Sequence, residues 1–291
     1  MNERAFFLGC AVWAYKDWMG DLFPTGSRSA DFLRLYSRRL TTVEGNTTFY
    51  AIPNPDVVER WAAETPPGFK FCFKLPREIS HSGPLVGQIA TTQAFLERMA
   101  PLGSRLGPFF LQLPPGYHPR QINDLERWLE AWPKARPLTV EVRHIDWYAP
   151  EGEAMLSELL KRYNAGRVIM DVRPLDFAPL PGAEQDLQRA RDNKPDVPMH
   201  PVRSSDIALV RYIGHPNLPV NTSLIDEWAD RIIEWLAQGT QVYFFMHCPQ
   251  EQYSPQLCRM LQKRLNGRPG IAALPWDQLE EPPGLEQASL F

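Results

Sequence analysis

The chain has 291 residues, close to the length of about 250 residues that is typical of a single α/β barrel. Its 31 basic and 34 acidic side chains leave a net charge of −3 at pH 7, which excludes a globally basic surface for nucleic acid or anionic membranes. No apolar run approaches the roughly 18 residues of a membrane span, and no signal-peptide pattern precedes the first apolar run. The four cysteines form no Cys-x-x-Cys pair, so we expect free thiols and a cytoplasmic protein.

Short apolar segments alternate with segments of helical period along the whole chain. Helix starts and faces are recognisable, as at Asn54 before Pro55. Eight such alternations predict a (β/α)8 TIM-type barrel, whereas the alternative, an open doubly wound sheet, would carry a G-x-G-x-x-G turn that is missing here. The predicted strands are Phe6–Trp13, Thr42–Asn46, Phe69–Lys74, Pro108–Leu113, Leu138–Arg143, Arg167–Asp171, Ile207–Tyr212 and Gln241–Met246.

Two segments interrupt this alternation. The polar, proline-bearing stretch from Pro174 to Ser205 follows strand six, so we predict an insertion over the mouth of the barrel. The polar, proline-rich tail from Leu274 onward is expected to pack loosely. The chain is therefore divided into one barrel domain over 1–273 and a tail over 274–291.

Side chains alternate along a strand, so parity predicts which of them face the barrel interior. In strand five, for example, the aliphatic set with Val140 should face the surrounding helices, which turns Glu141 and Arg143 inward. The inward polar set predicted near the strand ends is Trp13, Glu44, Asn46, Lys74, Gln112, Glu141, Arg143, Asp171 and Arg211.

These charged side chains lie at the carboxyl ends of their strands, which is the catalytic face of this fold. We interpret Glu44, Glu141, Asp171 and Lys74 as candidate catalytic residues, with the acids handling protons. Lys74, Arg143 and Arg211 are predicted to bind an anionic group. The full set of predicted substrate-binding residues is Trp13, Asn46, Tyr50, His81, Gln112, Arg143, His144, Trp147 and Arg211. The alternative is a layer of internal salt bridges that only shapes the barrel.

Four histidines, His81, His144, His215 and His247, each follow a predicted strand. Imidazoles beside acids can hold a divalent metal, but no His-x-x-x-His or His-Glu-x-x-His spacing occurs. A divalent metal is therefore compatible with the sequence without being indicated, the cofactor stays unknown, and no metal ligand is assigned.

Several of these segments together resemble one family. The Thr42–Tyr50 segment, Phe71–Lys74 with His81, Leu111–Pro115 and Glu141–His144 with Trp147 are similar to the motifs of the YecE-like family, the barrel proteins of domain-of-unknown-function family 72. The resemblance runs to about Leu265. It implies a TIM-type barrel and leaves the activity open.

The last five residues, Gln287-Ala288-Ser289-Leu290-Phe291, resemble the short peptide with which bacterial replication and repair proteins bind the DNA polymerase sliding clamp. In this interpretation Gln287 hydrogen-bonds a polar rim while Leu290 and Phe291 fill an apolar pocket, and Ser289 is counted among the partner-binding residues. The alternatives are chance and docking of the apolar end onto the chain's own barrel.

Three hypotheses for function follow. The first is an enzyme that acts on a small phosphate-bearing or nucleic-acid-derived substrate, such as a hydrolase in DNA repair or maintenance that is recruited to the clamp. The second is a non-catalytic ligand-sensing or adaptor module. The third is a carbohydrate-active enzyme with paired carboxylates.

Overall fold

The computed structural model describes residues 4–179, 182, 184–192, 194–195 and 197–279. All eight predicted strands are present, and the main difference is that the first ends at Cys10 rather than at Trp13. Their bounds are β1 Phe6–Cys10, β2 Thr42–Gly45, β3 Lys70–Phe73, β4 Phe109–Gln112, β5 Leu138–Glu141, β6 Gly166–Asp171, β7 Ile207–Ile213 and β8 Gln241–His247.

The eight strands form one parallel sheet in the order β3-β2-β1-β8-β7-β6-β5-β4. Bridges from Phe71 to Leu106 and from Lys74 to Phe110 join the two outer strands, β3 and β4. The sheet thereby closes into a cylinder whose strands all end at the same rim. The predicted (β/α)8 TIM-type barrel is confirmed.

Helices follow the strands and cover the outside of the cylinder. Proline at the first or second position of several of them removes an amide that would have had no helical partner. Their bounds are α1 Phe32–Tyr36, α2 Thr47–Tyr50, α3 Pro55–Glu64, α4 Arg77–His81, α5 Ile89–Met99, α6 Ile122–Ala131, α7 Pro150–Arg162, α8 Glu184–Asp192, α9 Thr222–Ala237 and α10 Ser254–Leu265.

The apolar core has two parts. The larger part lies between the sheet and the helices, where aromatic side chains such as Trp128 and Trp228 pack against the strands. The smaller part fills the interior of the cylinder with Phe7, Cys72, Phe110, Val168, Ile207, Leu209, Tyr243 and Phe245. This interior layer supports the charged side chains, which lie further along the same strands.

Close approach of β1 to β2 depends on Gly9. A Cβ atom at this position would lie 1.9 Å from the carbonyl oxygen of Thr42. The Tyr36 hydroxyl lies beside Gly9 and links the two strands. It accepts a hydrogen bond from the amide of Cys10 and donates one to the Thr42 carbonyl.

The predicted insertion after β6 contains α8, and its Lys194 reaches the charged groups of the barrel mouth. The start of the tail differs from expectation, because Leu274 and Trp276 are buried and the Trp276 amide donates to the Arg39 carbonyl. Loose packing is therefore wrong for this part of the tail. No helix within the described residues has the length and apolar character needed to cross a membrane.

Candidate active site at the barrel mouth

A buried arginine occupies the centre of the barrel mouth. Arg211 on β7 donates from Nε and Nη2 to the two carboxylate oxygens of Glu44, both at 2.9 Å. Its Nη1 donates to Glu141 Oε2 at 2.6 Å. The arginine therefore links two glutamates from β2 and β5, which lie on different sides of the cylinder.

The central charges hold one another in the ionised form. Burial raises the pKa of Glu44, but the charge of Arg211 and the hydrogen-bonding contacts of Arg211 and His247 outweigh it and hold that pKa well below its ordinary range. Burial also raises the pKa of Glu141, but the charges of Arg211 and Arg143 outweigh it and lower this pKa to about 2. Both carboxylates are therefore ionised at neutral pH, and both are weak proton acceptors.

A second layer of contacts extends this pair toward β3 and β4. Arg143 donates from Nε to Glu141 Oε1 and from Nη2 to the side-chain oxygen of Gln112, both at 2.7 Å. Lys74 Nζ donates to the same Gln112 oxygen at 2.7 Å. Two cations from different strands therefore meet at one neutral acceptor.

Lys74 differs from the arginines in its surroundings. Its ammonium nitrogen lies 3.7 Å from the centre of the Phe49 ring, and within the described part of the chain no carboxylate forms a salt bridge with it. Burial, followed by the charge of Arg211, lowers the pKa of Lys74 to about 7. This lysine can therefore lose or gain a proton near neutral pH.

Asn46 and His247 complete the contacts of Glu44. The amide of Asn46 donates to Glu44 Oε1 at 2.6 Å and to the Ala11 carbonyl. His247 Nε2 lies 3.1 Å from Glu44 Oε2. His247 was not among the predicted site residues. Tyr243 and Phe245 face the interior of the cylinder, and the same alternation carried two residues further along β8 would have placed His247 there too.

Two further site residues come from segments that strand parity does not cover. Lys194 of the insertion and Glu251 after β8 line a cavity of about 210 Å³ together with His247. Burial, followed by Arg211, lowers the pKa of Lys194 to about 8. Burial raises the pKa of Glu251 to about 7, against a hydrogen bond from Ser254.

The opposite side of the mouth has an aromatic rim. Tyr50 is 81% exposed and meets the Phe49 ring edge-on, at 5.1 Å between centroids. His81 contacts the same ring at 5.2 Å. Burial and the charge of Lys74 lower the pKa of His81 to about 4, so its imidazole is neutral at physiological pH.

The predicted inward orientation of Asp171 is wrong. Its carboxylate accepts from Trp228 Nε1 at 2.7 Å and from the Arg173 guanidinium. Trp228 lies on α9, so Asp171 faces the helices and stays outside the central cluster. Ile169, two residues earlier on the same face of β6, belongs to the outer part of the core. The two residues were therefore correctly assigned to one face, but that face points outward rather than inward.

Trp13 and Trp147 do not join the cluster either. Because β1 ends at Cys10, Trp13 lies beyond the strand and packs edge-on against Trp61 and Phe71 in the outer core. Trp147 is fully buried and donates from Nε1 to the Tyr117 carbonyl at 2.7 Å. Neither ring is presented to the mouth.

The four histidines that follow strands do not form one metal site. Within the described residues, the group with metal-ligand spacing is His118, His144 and Asp146. Each of these histidines accepts a backbone amide hydrogen bond at Nδ1, which leaves the proton on Nε2, and His118 Nε2 lies 2.6 Å from Asp146 Oδ2. This tautomer is the reverse of the usual metal-bound one, in which the second ring nitrogen donates, so these residues fit an ordinary hydrogen-bonded group better than a metal centre.

The fold and the site define a class, a TIM-type barrel with an ion-pair cluster at the carboxyl ends of its strands. The family model "Protein of unknown function DUF72" matches residues 7–279. The chain belongs to this family. The tail residues Gln287, Ser289, Leu290 and Phe291 lie outside the described residues.

Relatives in two bacteria support this assignment. The chain is 37% identical over 272 residues to the UPF0759 protein YecE of Escherichia coli K12, covering 92% of this chain and 96% of the relative. It is 26% identical over 151 residues to the UPF0759 protein YunF of Bacillus subtilis 168, covering 50% and 52%.

Solved structures of the family have the same fold. A DUF72 family protein from Enterococcus faecalis V583 aligns with a TM-score of 0.70 at 21% identity, covering 92% of this chain and 96% of that one. A second, from Thermotoga maritima MSB8, gives a TM-score of 0.64 at 20% identity, with coverage of 89% and 98%.

Proposed function

We propose that the protein is an enzyme whose barrel mouth binds a small phosphate-bearing substrate. The observation that carries the proposal is the meeting of Lys74 and Arg143 at the neutral oxygen of Gln112. Buried cations are costly unless an anion compensates them, and a phosphate group that joins the two would supply that anion.

The charge balance of the cluster favours such a ligand. Glu44 and Glu141 carry two negative charges, which Arg211 and Arg143 match through direct ion pairs. Lys74 is then a surplus positive charge. Lys194 adds a second one from the insertion, without a salt bridge in the described part of the chain. A divalent anion bound between Lys74 and Arg143 would compensate the surplus charge of Lys74, while Lys194 shares its cavity with Glu251.

Proton transfer in this site falls to groups other than the two central glutamates. Glu141, with a pKa of about 2, cannot donate a proton at neutral pH, and Glu44 is held in the same state. Lys74 and Glu251, whose pKa values are both about 7, are suited to exchange protons near neutral pH. Glu44 and Glu141 act mainly by orienting the arginines.

The same pKa shifts argue against Glu44 and Glu141 as the paired carboxylates of a carbohydrate-active enzyme. Such enzymes need one carboxyl whose raised pKa keeps it protonated, whereas both glutamates here contact the Arg211 guanidinium and remain ionised. A sugar site also needs exposed aromatic rings, and of the three predicted site residues that could supply them, Trp13 and Trp147 pack in the core and Tyr50 is exposed.

The test of anion binding compares two lysines of the same strand. Lys74→Met removes the cation at the mouth, and Lys70→Met removes a partly exposed lysine at the opposite end of β3. Titration of inorganic phosphate and phenyl phosphate by calorimetry should show binding to the wild type and to Lys70→Met, and at least tenfold weaker binding to Lys74→Met. Equal affinities in all three proteins would refute the proposal.

Measurement of product formation distinguishes an enzyme from a non-catalytic ligand-sensing or adaptor module. If the site is catalytic, phosphate esters offered to the wild type should yield product, and Arg143→Met should abolish its formation. Phosphate binding without turnover of any ester would favour the adaptor. A Glu141→Gln and Arg143→Met pair that loses stability while ligand binding is unchanged would favour a purely structural ion-pair layer.

We also propose that the tail recruits the protein to the DNA polymerase sliding clamp, which would place its activity in DNA repair or maintenance. The support is the sequence Gln287-Ala288-Ser289-Leu290-Phe291, and the matched relatives come from bacteria. The test mixes the intact protein and a protein lacking Phe291 with purified clamp. The intact chain should bind more tightly, and equal affinity would remove the connection to repair.

A cytoplasmic location is proposed from the cysteines. All four are free and buried, which fits a reducing compartment. Fractionation of cells that express the tagged protein should recover it with cytoplasmic markers; recovery with periplasmic or extracellular markers would contradict the proposal.

A further inference from the structure

Lys74 is placed as a nucleophile rather than only as a binding cation. Its nitrogen donates to a neutral amide oxygen and rests on the Phe49 ring. The side chain is 8% exposed, so little water surrounds the amine. Buried lysines without a carboxylate partner and next to other cations are those that proteins use for covalent chemistry with carbonyl groups.

The charged groups around Lys74 raise or lower the pKa of its amine according to their sign. From β7, Arg211 lowers its pKa, and from β5, Arg143 lowers it while Glu141 raises it. Glu44 on β2 also raises it, and His81 on α4 is neutral near pH 7 because its own pKa is about 4. Burial has the largest effect, and the resulting pKa of about 7 leaves roughly half of the amine unprotonated near neutral pH.

We propose that Lys74 forms a Schiff base with a carbonyl substrate whose anionic group binds to Arg143. This inference rests on the proposed function, because it assumes that the mouth binds small anions, and it narrows the phosphate-bearing substrate to one that also carries an aldehyde or ketone. Lys74 and Arg143 share the Gln112 oxygen, so the carbonyl carbon and the anionic group must lie close together, as they do in the small anionic aldehyde glyoxylate.

The step balances without an oxidant or reductant. The unprotonated amine of Lys74 attacks the carbonyl carbon, and the carbonyl π bond breaks to give a carbinolamine. The carbinolamine oxygen then leaves as water and takes both hydrogens of the original amine with it. A carbon–nitrogen double bond remains, and solvent supplies the proton that converts the imine to the reactive iminium ion.

The experiment traps this imine in the full-length protein with glyoxylate and cyanoborohydride, followed by peptide mapping. Lys70 serves as an internal control on the same strand, because its amine is exposed and donates to the Ser104 carbonyl. A lysine with a pKa of about 7 has about a thousandfold more free amine at pH 7 than one near 10.4. Lys74 should therefore be modified at least tenfold faster than Lys70, at a rate that rises with pH and levels off above about pH 8.

Lys74→Arg should lose this modification and Lys70→Arg should keep it. Labelling of Lys74 no faster than that of Lys70 in the wild type would overturn the proposal, and this comparison does not depend on the folding of any variant. If inorganic phosphate binds to the wild type and no trapping occurs, the Schiff base alone fails. If phosphate neither binds nor slows the trapping reaction, the proposed function fails, and with it the assumption that an anionic group directs the carbonyl.

Discussion

Removal of the central arginine should be far more destabilising than its single position suggests. Arg211→Met leaves Glu44 and Glu141 buried without the guanidinium that links them, and their exposed fractions are 0% and 2%. Removing one partner of a buried ion pair costs about 3–5 kcal/mol, and here one side chain serves two carboxylates. We expect a loss in the free energy of unfolding at the upper end of that range at about pH 8 in urea.

The loss of stability in Arg211→Met should depend on pH, in a direction set by the pKa values of the two glutamates. In the wild type, the folded pKa of Glu141 is about 2, below its unfolded value, so its stabilising contribution is present above the unfolded pKa and is lost as pH falls through the folded one. Without Arg211, Glu141 keeps Arg143, but Glu44 loses its largest opposing charge and burial raises its folded pKa, so the cost is full at high pH. The difference between variant and wild type should therefore shrink from about pH 8 to about pH 4.

A matched control is available on the surface. Arg162 also contacts two glutamates, Glu126 and Glu158, but its side chain is 53% exposed. Exposed ion pairs contribute little because water screens them, so Arg162→Met should leave the urea midpoint nearly unchanged. An Arg211→Met protein that is no less stable than Arg162→Met would refute the view that burial makes the central cluster energetically coupled.

Three further outcomes are expected. Asp171→Asn should lower the free energy of unfolding by about 1.5–3 kcal/mol, because a charged acceptor for Trp228 is weakened, and should not change sulfate affinity in calorimetry; a loss of sulfate binding would return Asp171 to the site. Gly9→Ala should cost about 3 kcal/mol or more in urea unfolding, since its Cβ would lie 1.9 Å from the Thr42 oxygen, and a stable variant would show that β1 and β2 can separate there. Sulfate affinity, measured from about pH 6 to 9, should fall as Lys74 deprotonates near its pKa of about 7, and this fall should be clearly smaller in Lys74→Arg, where Lys194 and Glu251 still titrate in this range; a flat profile in the wild type would contradict the role of the Lys74 charge.

The amino-acid sequence determined the fold class and most of the cluster. Alternation of period two with helical segments is a local property, so the eight strands were predicted almost as they occur. Where one face of a strand is clearly aliphatic, as with Val140 on β5, parity also fixed which charges point inward, and Glu141 and Arg143 lie as predicted. Those inferences need only the neighbours of each residue along its own strand.

Tertiary structure decided whatever depends on a second segment. Both faces of β6 are apolar, with Val168 inside the cylinder and Ile169 outside, so parity alone could not choose the face of Asp171. Lys194 reaches the mouth from the insertion after β6, which only the packing of that insertion brings there. The pKa of Lys74 likewise depends on burial and on cations from other strands. A free amine near neutral pH is therefore a property of the closed barrel. The charged groups that shift the pKa of Lys74 lie far from it in the sequence and meet it only when the strands close into a cylinder.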